Sequence, residues 1–238
     1  MEEQLSRLID KAWNRYLQTP PDQRLLIAIG GIPGSGKTTL ALSLVTALNA
    51  RAATLEPTSP PPAAYVPMDG YHLTRAQLSA LPDPVTAHAR RGAEFTFDAA
   101  SFLALVAALR QPLTPSTPVI TAPSFDHAIK DPVADGYIIQ PSHRIVVVEG
   151  LYVLLDKTPW REASEMMDEK WFVEVDFAVA RRRLAKRHML AGIVNSEAEG
   201  DRRARENDLV NGRMIVEGLV QGVDEVVVSR EDGKWVHE

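Results

Sequence analysis

The chain has 238 residues, a formal net charge of −5 at pH 7, 45% hydrophobic residues and no cysteine. That length fits one large α/β domain with a substantial core, and the missing cysteines exclude disulfides, thiolate chemistry and zinc–cysteine centres. The acidic balance argues against a general nucleic-acid coat, and no apolar stretch approaches the roughly 20 residues that span a bilayer, so a cytoplasmic protein with neither nucleic-acid nor membrane partners is expected.

Leu5, Leu8, Ile9, Ala12, Trp13, Tyr16 and Leu17 recur at helical spacing, which predicts an amphipathic N-terminal helix over residues 1–20, ended by Pro20-Pro21. The apolar run 25–29 reads as a buried strand, and residues 39–45 keep apolar groups at helical spacing. Between them lies Gly31-Ile32-Pro33-Gly34-Ser35-Gly36-Lys37-Thr38. A glycine-rich turn from strand to helix lets successive backbone N–H groups point at phosphate oxygens, helped by the partial positive charge of the helix start. In such a P-loop Lys37 reaches the outer phosphates and the Thr38 hydroxyl ligates Mg²⁺, with Gly31, Gly34, Ser35, Gly36 and Thr39 completing the nucleotide-binding segment. ATP and Mg²⁺ are therefore the expected ligands.

Prolines in residues 56–62 read as an exposed connector, followed by a short strand over 64–68. Asp69 follows that strand. A carboxylate there can orient an acceptor hydroxyl and take its proton, although Asp69-Gly70 is also a favoured turn dipeptide. His72 is a weaker candidate for the same pocket. Arg91 and Asp98 lie in a segment mixing cations, aromatics and an acid; arginine suits an anionic group and carboxylates suit sugar hydroxyls, while Asp98 also reads as the N-cap of a helix over 102–109. Ser124-Phe125-Asp126-His127 follows a strand candidate at 119–120.

The runs 145–148 and 171–175 are further strand candidates, and 225–228 supplies a last one. Apolar runs alternating with helices imply a mostly parallel sheet covered on both faces, with ligands bound outside the carboxyl ends of its strands. That rule places the P-loop, Asp69, the loop after Ile120 and Glu149 on one rim. Glu149, ending its apolar run, is positioned like a Walker-B acid that organises Mg²⁺; a carboxylate capping the next segment is the plainer reading. Residues 178–190 and 197–219 look helical, joined near Gly192. They carry a basic cluster in which Arg183 and Arg187 share a face, either a solvated surface or a lid whose arginine stabilises a transferring phosphoryl group.

Together the P-loop, Met68-Asp69-Gly70-Tyr71-His72, Arg91-Gly92 through Phe97-Asp98, Phe125-Asp126-His127, Val148-Glu149-Gly150 and Arg183-Leu184 through Lys186-Arg187-His188 resemble the uridine kinase, phosphoribulokinase and bacterial-type pantothenate kinase superfamily. The resemblance covers most of the chain and looks closer to a uridine-kinase-like branch with fungal and bacterial members than to uridine kinases proper. It implies a three-layer P-loop NTPase fold, a single domain over 1–238 with a helical lid over about 178–212, and ATP-dependent phosphorylation of a hydroxyl on a small metabolite. By that resemblance Asp69 matches the catalytic aspartate, Glu149 the Walker-B acid, Arg187 a lid arginine, and Asp98 and His127 approximate acceptor-pocket positions. A P-loop ATPase or nucleotide-gated module is the alternative in a different class, and a nucleic-acid kinase is weakened by the absence of aromatic residues among the clustered arginines. The expected partner is a small-molecule acceptor, with a homodimer left open.

Overall fold

Strand β1 (Leu25–Gly31) runs through the centre of the molecule and is buried along its whole length. In the computed structural model, which describes residues 2–126 and 128–230, it pairs in parallel with β5 (Ile145–Gly150) on one side and β6 (Glu169–Glu174) on the other. β2 (Ala63–Pro67) adds beyond β5 and β7 (Glu225–Val228) beyond β6, giving a five-stranded parallel sheet of order β2-β5-β1-β6-β7. Parallel strands need helical crossovers that cover both faces, which is why these strands read as apolar runs.

Side chains alternate between two cores. Leu25, Ile27, Ile29, Ile145, Val147 and Trp171 face helix α1 (Glu2–Gln18) and helix α2 (Lys37–Leu55), whose Leu8, Trp13, Leu40 and Leu44 close that layer. Leu26, Ala28, Val146, Val148 and Phe172 face the other way, onto α5 (Ala99–Leu109) and α6 (Trp160–Glu165) through Phe102, Val106 and Trp160. Each fully buried Leu, Ile, Val or Phe contributes about 1.5–3 kcal/mol, so these layers supply the main driving force. Two short helices, α3 (Arg75–Ser79) and α4 (Pro84–Ala89), lie in the segment between β2 and α5. The amphipathic α1 is further held to the far edge of the sheet, where Glu225 accepts from Arg7 at 2.7 Å and Lys11 at 2.9 Å.

One strand departs from the expected arrangement. β3 (Ile120–Asp126) does not join the parallel sheet; it pairs antiparallel with β4 (Asp131–Ile139) in a separate two-stranded hairpin. Its Pro123 lacks a ladder donor and its register is broken between Ala122 and Ser124, features tolerated in a half-exposed hairpin but not in a central parallel strand. The loop after Ile120 is therefore not on the rim of the main sheet. The hairpin instead packs on the turn after β2, so tightly that a Cβ on Gly70 would stand 1.8 Å from the Pro123 carbonyl oxygen.

The C-terminal helices are α7 (Phe177–Leu190), α8 (Glu197–Arg203) and α9 (Leu209–Glu217). The single helix expected over 197–219 is interrupted by a π-helical turn, Ala204–Asp208. α8 lies against α7 closely enough that a Cβ on Gly200 would be 2.5 Å from the Ala185 carbonyl oxygen, and Arg181 pairs with Asp201 across the two helices. Among the described residues no helix is long and apolar enough to cross a membrane.

Candidate active site

The loop between β1 and α2 has the backbone its glycines imply. Gly34 and Gly36 adopt φ of 78° and 91°, and the first backbone bond of the helix is Leu40 N–H to Gly36 C=O at 3.1 Å. The N–H groups of Lys37, Thr38 and Thr39 are consequently left without intrahelical partners at the positive end of a 19-residue helix. Ser35 is fully buried, its hydroxyl has no hydrogen-bond partner among the described residues, and Gly31 sits so close to it that a Cβ there would meet Ser35 Oγ at 2.7 Å. The result is a concave cradle of backbone donors, which suits a polyanion.

Glu149, at the end of β5, is aligned with Pro67 on β2 and lies one strand from the loop. Its buried carboxylate accepts from the Thr38 hydroxyl at 3.2 Å and from the Tyr65 hydroxyl at 3.0 Å, and lies 3.8 Å from the Lys37 ammonium. Burial pushes the Glu149 carboxyl up, with Lys37 opposing and Asp69 adding to the rise. Burial likewise holds Lys37 below the usual lysine range, against the pull of Glu149 and Asp69, while the positive charge of Arg187 adds to the depression. Lys37 thus feels Glu149, Asp69 and Arg187, and Glu149 feels Lys37 and Asp69, although these residues come from the start of α2, a strand end, a turn and α7. Two hard oxygen donors, Thr38 and Glu149, beside a phosphate cradle fit a Mg²⁺ ion that draws its remaining ligands from phosphate and water.

Asp69 lies in a 3-10 turn, Met68–Tyr71, that directly continues β2. Tyr137 of the hairpin meets Tyr65 of β2, its ring 5.9 Å from that of Tyr65 and edge-on to it. Burial raises both phenols above the usual tyrosine range, with Glu149 and Asp69 contributing, so both stay protonated donors at neutral pH. Sequence reasoning missed these two tyrosines. Tyr65 was concealed as one residue of a strand, and Tyr137 lies on a strand that has no continuous apolar run.

The remaining expected residues are divided between neighbouring places. His72 donates from Nδ1–H to the Asp69 carbonyl at 2.8 Å and lies between the tilted rings of Phe97 and Phe125, with ring centroids 4.0 and 4.8 Å away. His72 and Asp98 line a cleft of about 440 Å³ with Thr74, Gln77, Thr121 and Asp135, between the Asp69 turn and the hairpin. Asp98 is also the N-cap of α5, accepting from Ser101 N–H at 3.0 Å and Ser101 Oγ at 2.7 Å. Arg91 is turned to the hairpin: its guanidinium donates to the carbonyls of Leu73 and Lys130 and pairs with Asp131 at 3.1 Å, over the face of Phe125. His127 lies outside the described residues. On α7, Arg187 is exposed, whereas Arg183 donates to the Gly34 carbonyl at 3.1 Å and Ser229 Oγ at 2.9 Å, tying the helix to the phosphate loop.

Comparison with known proteins follows the same lines. The chain is 51% identical over 168 residues to the ATP-dependent kinase-like protein notR′ of Aspergillus versicolor, covering 71% of this chain and 95% of that protein. It is 39% identical over 212 residues to the Schizosaccharomyces pombe protein named "Putative uridine kinase C227.14", covering 89% and 86% of the two chains. Among solved structures it is similar to YFH7 from Saccharomyces cerevisiae, with a TM-score of 0.83, 27% identity, and 96% and 99% of the chains covered. No family model matches the chain.

Proposed function

The chain belongs to the uridine-kinase-like family of P-loop kinases, and from that premise we propose that it transfers the γ-phosphoryl group of ATP to a hydroxyl of a small metabolite. The observation that carries the reading is the Lys37–Glu149 pair, 3.8 Å apart at the phosphate cradle, with Asp69 in the turn that continues β2 just past Pro67, the residue aligned with Glu149, and acting electrostatically on both. A nucleotide-gated module needs the first two; a carboxylate on the acceptor side is what a transferase adds.

In this mechanism the N–H groups at the start of α2 and the Lys37 ammonium bind the outer phosphates. Thr38 and Glu149 hold Mg²⁺, which when bound neutralises charge on the transferring group. Asp69 accepts the proton of the acceptor hydroxyl as its oxygen forms the new bond to γ-phosphorus and the bond to the β-bridging oxygen breaks. Arg187, one turn along α7 from Arg183, closes over the phosphates and offsets the negative charge of the transition state. The lid comprises α7, α8 and the start of α9, with α7 and α8 linked near Gly192. The hydroxyl-rich and carboxylate-rich cleft beside His72 and Asp98 suits a polyhydroxylated acceptor.

The test is Asp69→Asn, which removes the base and keeps the shape. Nucleotide affinity should stay within a few-fold while acceptor-dependent turnover falls by about 10²-fold or more. Turnover equal to that of the parent protein would remove Asp69 from the mechanism.

A further inference from the structure

The turn after α4 packs on the face of the π-helical segment and leaves polar side-chain atoms of both without partners among the described residues. Arg203, Asn207 and Asn211 succeed one another at four-residue spacing, and this face meets the 90–92 turn: Arg90 donates to Asn211 Oδ1 at 2.8 Å, and Asn207 Nδ2 donates to the Arg91 carbonyl at 3.3 Å. Arg90 Nε, Arg203 Nε and Asn207 Oδ1 are buried and have no hydrogen-bond partner among the described residues. The carboxylates in the vicinity are already engaged. Asp208 is on His188 at 2.7 Å, Glu94 on Lys157 and Trp160, Asp131 on Arg91, and Asp201 on Arg181 and Arg205.

Arg90 and Arg203 are half-buried, but their Nε–H donors are out of reach of water, and a buried donor left unpaired costs about 1–3 kcal/mol. Such a cluster is explained when a ligand completes it. The Tyr152 hydroxyl, bonded to the Gly92 carbonyl at 2.7 Å, lies within electrostatic range of Arg90 and of the carboxylates Glu94, Asp208 and Asp69, so the 90–92 turn faces the same side as Asp69. A π-turn set into an otherwise α-helical segment is itself a common mark of a functional position, because it redirects side chains such as Asn207.

We propose that Arg90 and Arg203 form a binding site for an anionic group of the acceptor, a phosphate or a carboxylate, while Asn207 Oδ1 receives a hydroxyl beside it. The acceptor is then a hydroxylated anion, such as a polyol phosphate or a hydroxy acid, and not a neutral nucleoside. This inference rests on the reading of Asp69 as the acceptor-side base.

The experiment saturates the full chain with Mg²⁺ and a non-hydrolysable ATP analogue, so that the triphosphate site is filled, and then titrates sulfate, acetate and glycerol separately by calorimetry. Saturable binding of sulfate or acetate, but not glycerol, is expected, and stronger binding of one anion identifies the acceptor group as phosphate or carboxylate. The affinity should fall about tenfold or more in Arg203→Met and Arg90→Gln. Arg205→Met, which removes a guanidinium paired with Asp201 on the same segment, should bind the anion as the parent does. Melting curves check folding, and Arg90→Met, which removes the charge and keeps the length of the side chain, replaces the glutamine variant if that one unfolds. Analogue binding without saturable anion binding, or equal anion affinity in the parent and both variants, would overturn the inference and leave the kinase reading intact. Failure to bind the analogue at all would overturn the kinase reading and this inference with it.

Discussion

Replacing Gly36 with alanine isolates the strain stored in the phosphate loop. Gly36 caps α2 at φ 91° and ψ 13°, in the left-handed region that costs an L-residue about 1–2 kcal/mol. An added Cβ would meet only Ser229 Oγ at 3.7 Å, an ordinary contact, so no steric term is added to the backbone term. Gly31 is the contrast, because its Cβ would stand 2.8 Å from the Val173 carbonyl oxygen and force backbone apart. If the loop keeps its shape, Gly36→Ala loses about 1–2 kcal/mol of folding stability, a drop in Tm of about 2–8 °C for a chain of this size. If the loop relaxes in the ligand-free protein, the same strain must be met when nucleotide rebuilds the cradle, and affinity weakens by up to about 30-fold. The two losses together should amount to about 1–2 kcal/mol. Denaturation without ligand and calorimetric titration of an ATP analogue measure both. Parent-like stability combined with parent-like affinity would refute the conformational argument.

Arg183→Met should weaken nucleotide binding by about tenfold and leave acceptor affinity unaltered, because it frees the Gly34 carbonyl from α7; a titration with the ATP analogue reads this directly. Glu149→Gln should abolish most of the gain in nucleotide affinity that Mg²⁺ brings. Burial keeps the Glu149 carboxyl protonated above the usual carboxylate range, so Mg²⁺-nucleotide affinity in the parent should rise with pH as that proton leaves, and the glutamine variant should lose this slope. Arg7 and Lys11 hold the Glu225 carboxyl down to about 2. A depressed carboxyl stabilises the fold above its unfolded value of about 4.3, and the contribution disappears as pH falls toward 2. The stability gap between parent and Glu225→Gln should therefore be full at neutral pH and close across that acid interval, as followed by urea denaturation.

Much of the fold was legible because its signals are local. The apolar runs 25–29 and 145–148 read as strands since both faces of a parallel sheet are buried, and the glycine spacing between a strand and a helix marked the phosphate loop before any geometry was known. Asp98 was legible as a cap, and its second place in the cleft depended on where the hairpin lies. The hairpin itself was obscure because β4 is half-exposed, begins Asp131-Pro132 and carries Asp135-Gly136 in its middle, residues that ordinarily punctuate turns. Arg91 was expected beside an anionic group, and charge and spacing do not disclose that Leu73, Lys130 and Asp131 would engage its terminal nitrogens. Tyr65, Tyr137 and the meeting of Arg90 with Asn211, 121 residues apart in sequence, arise only from tertiary packing.

The most direct measurement is product mass after incubating the protein with MgATP and, separately, nucleosides, pantothenate, simple sugars, sugar phosphates and hydroxy acids. The account predicts ADP formation that depends on one class of acceptor, whose mass rises by one phosphoryl group. ATP hydrolysis to free phosphate that is independent of every acceptor and stimulated by a protein partner would contradict it.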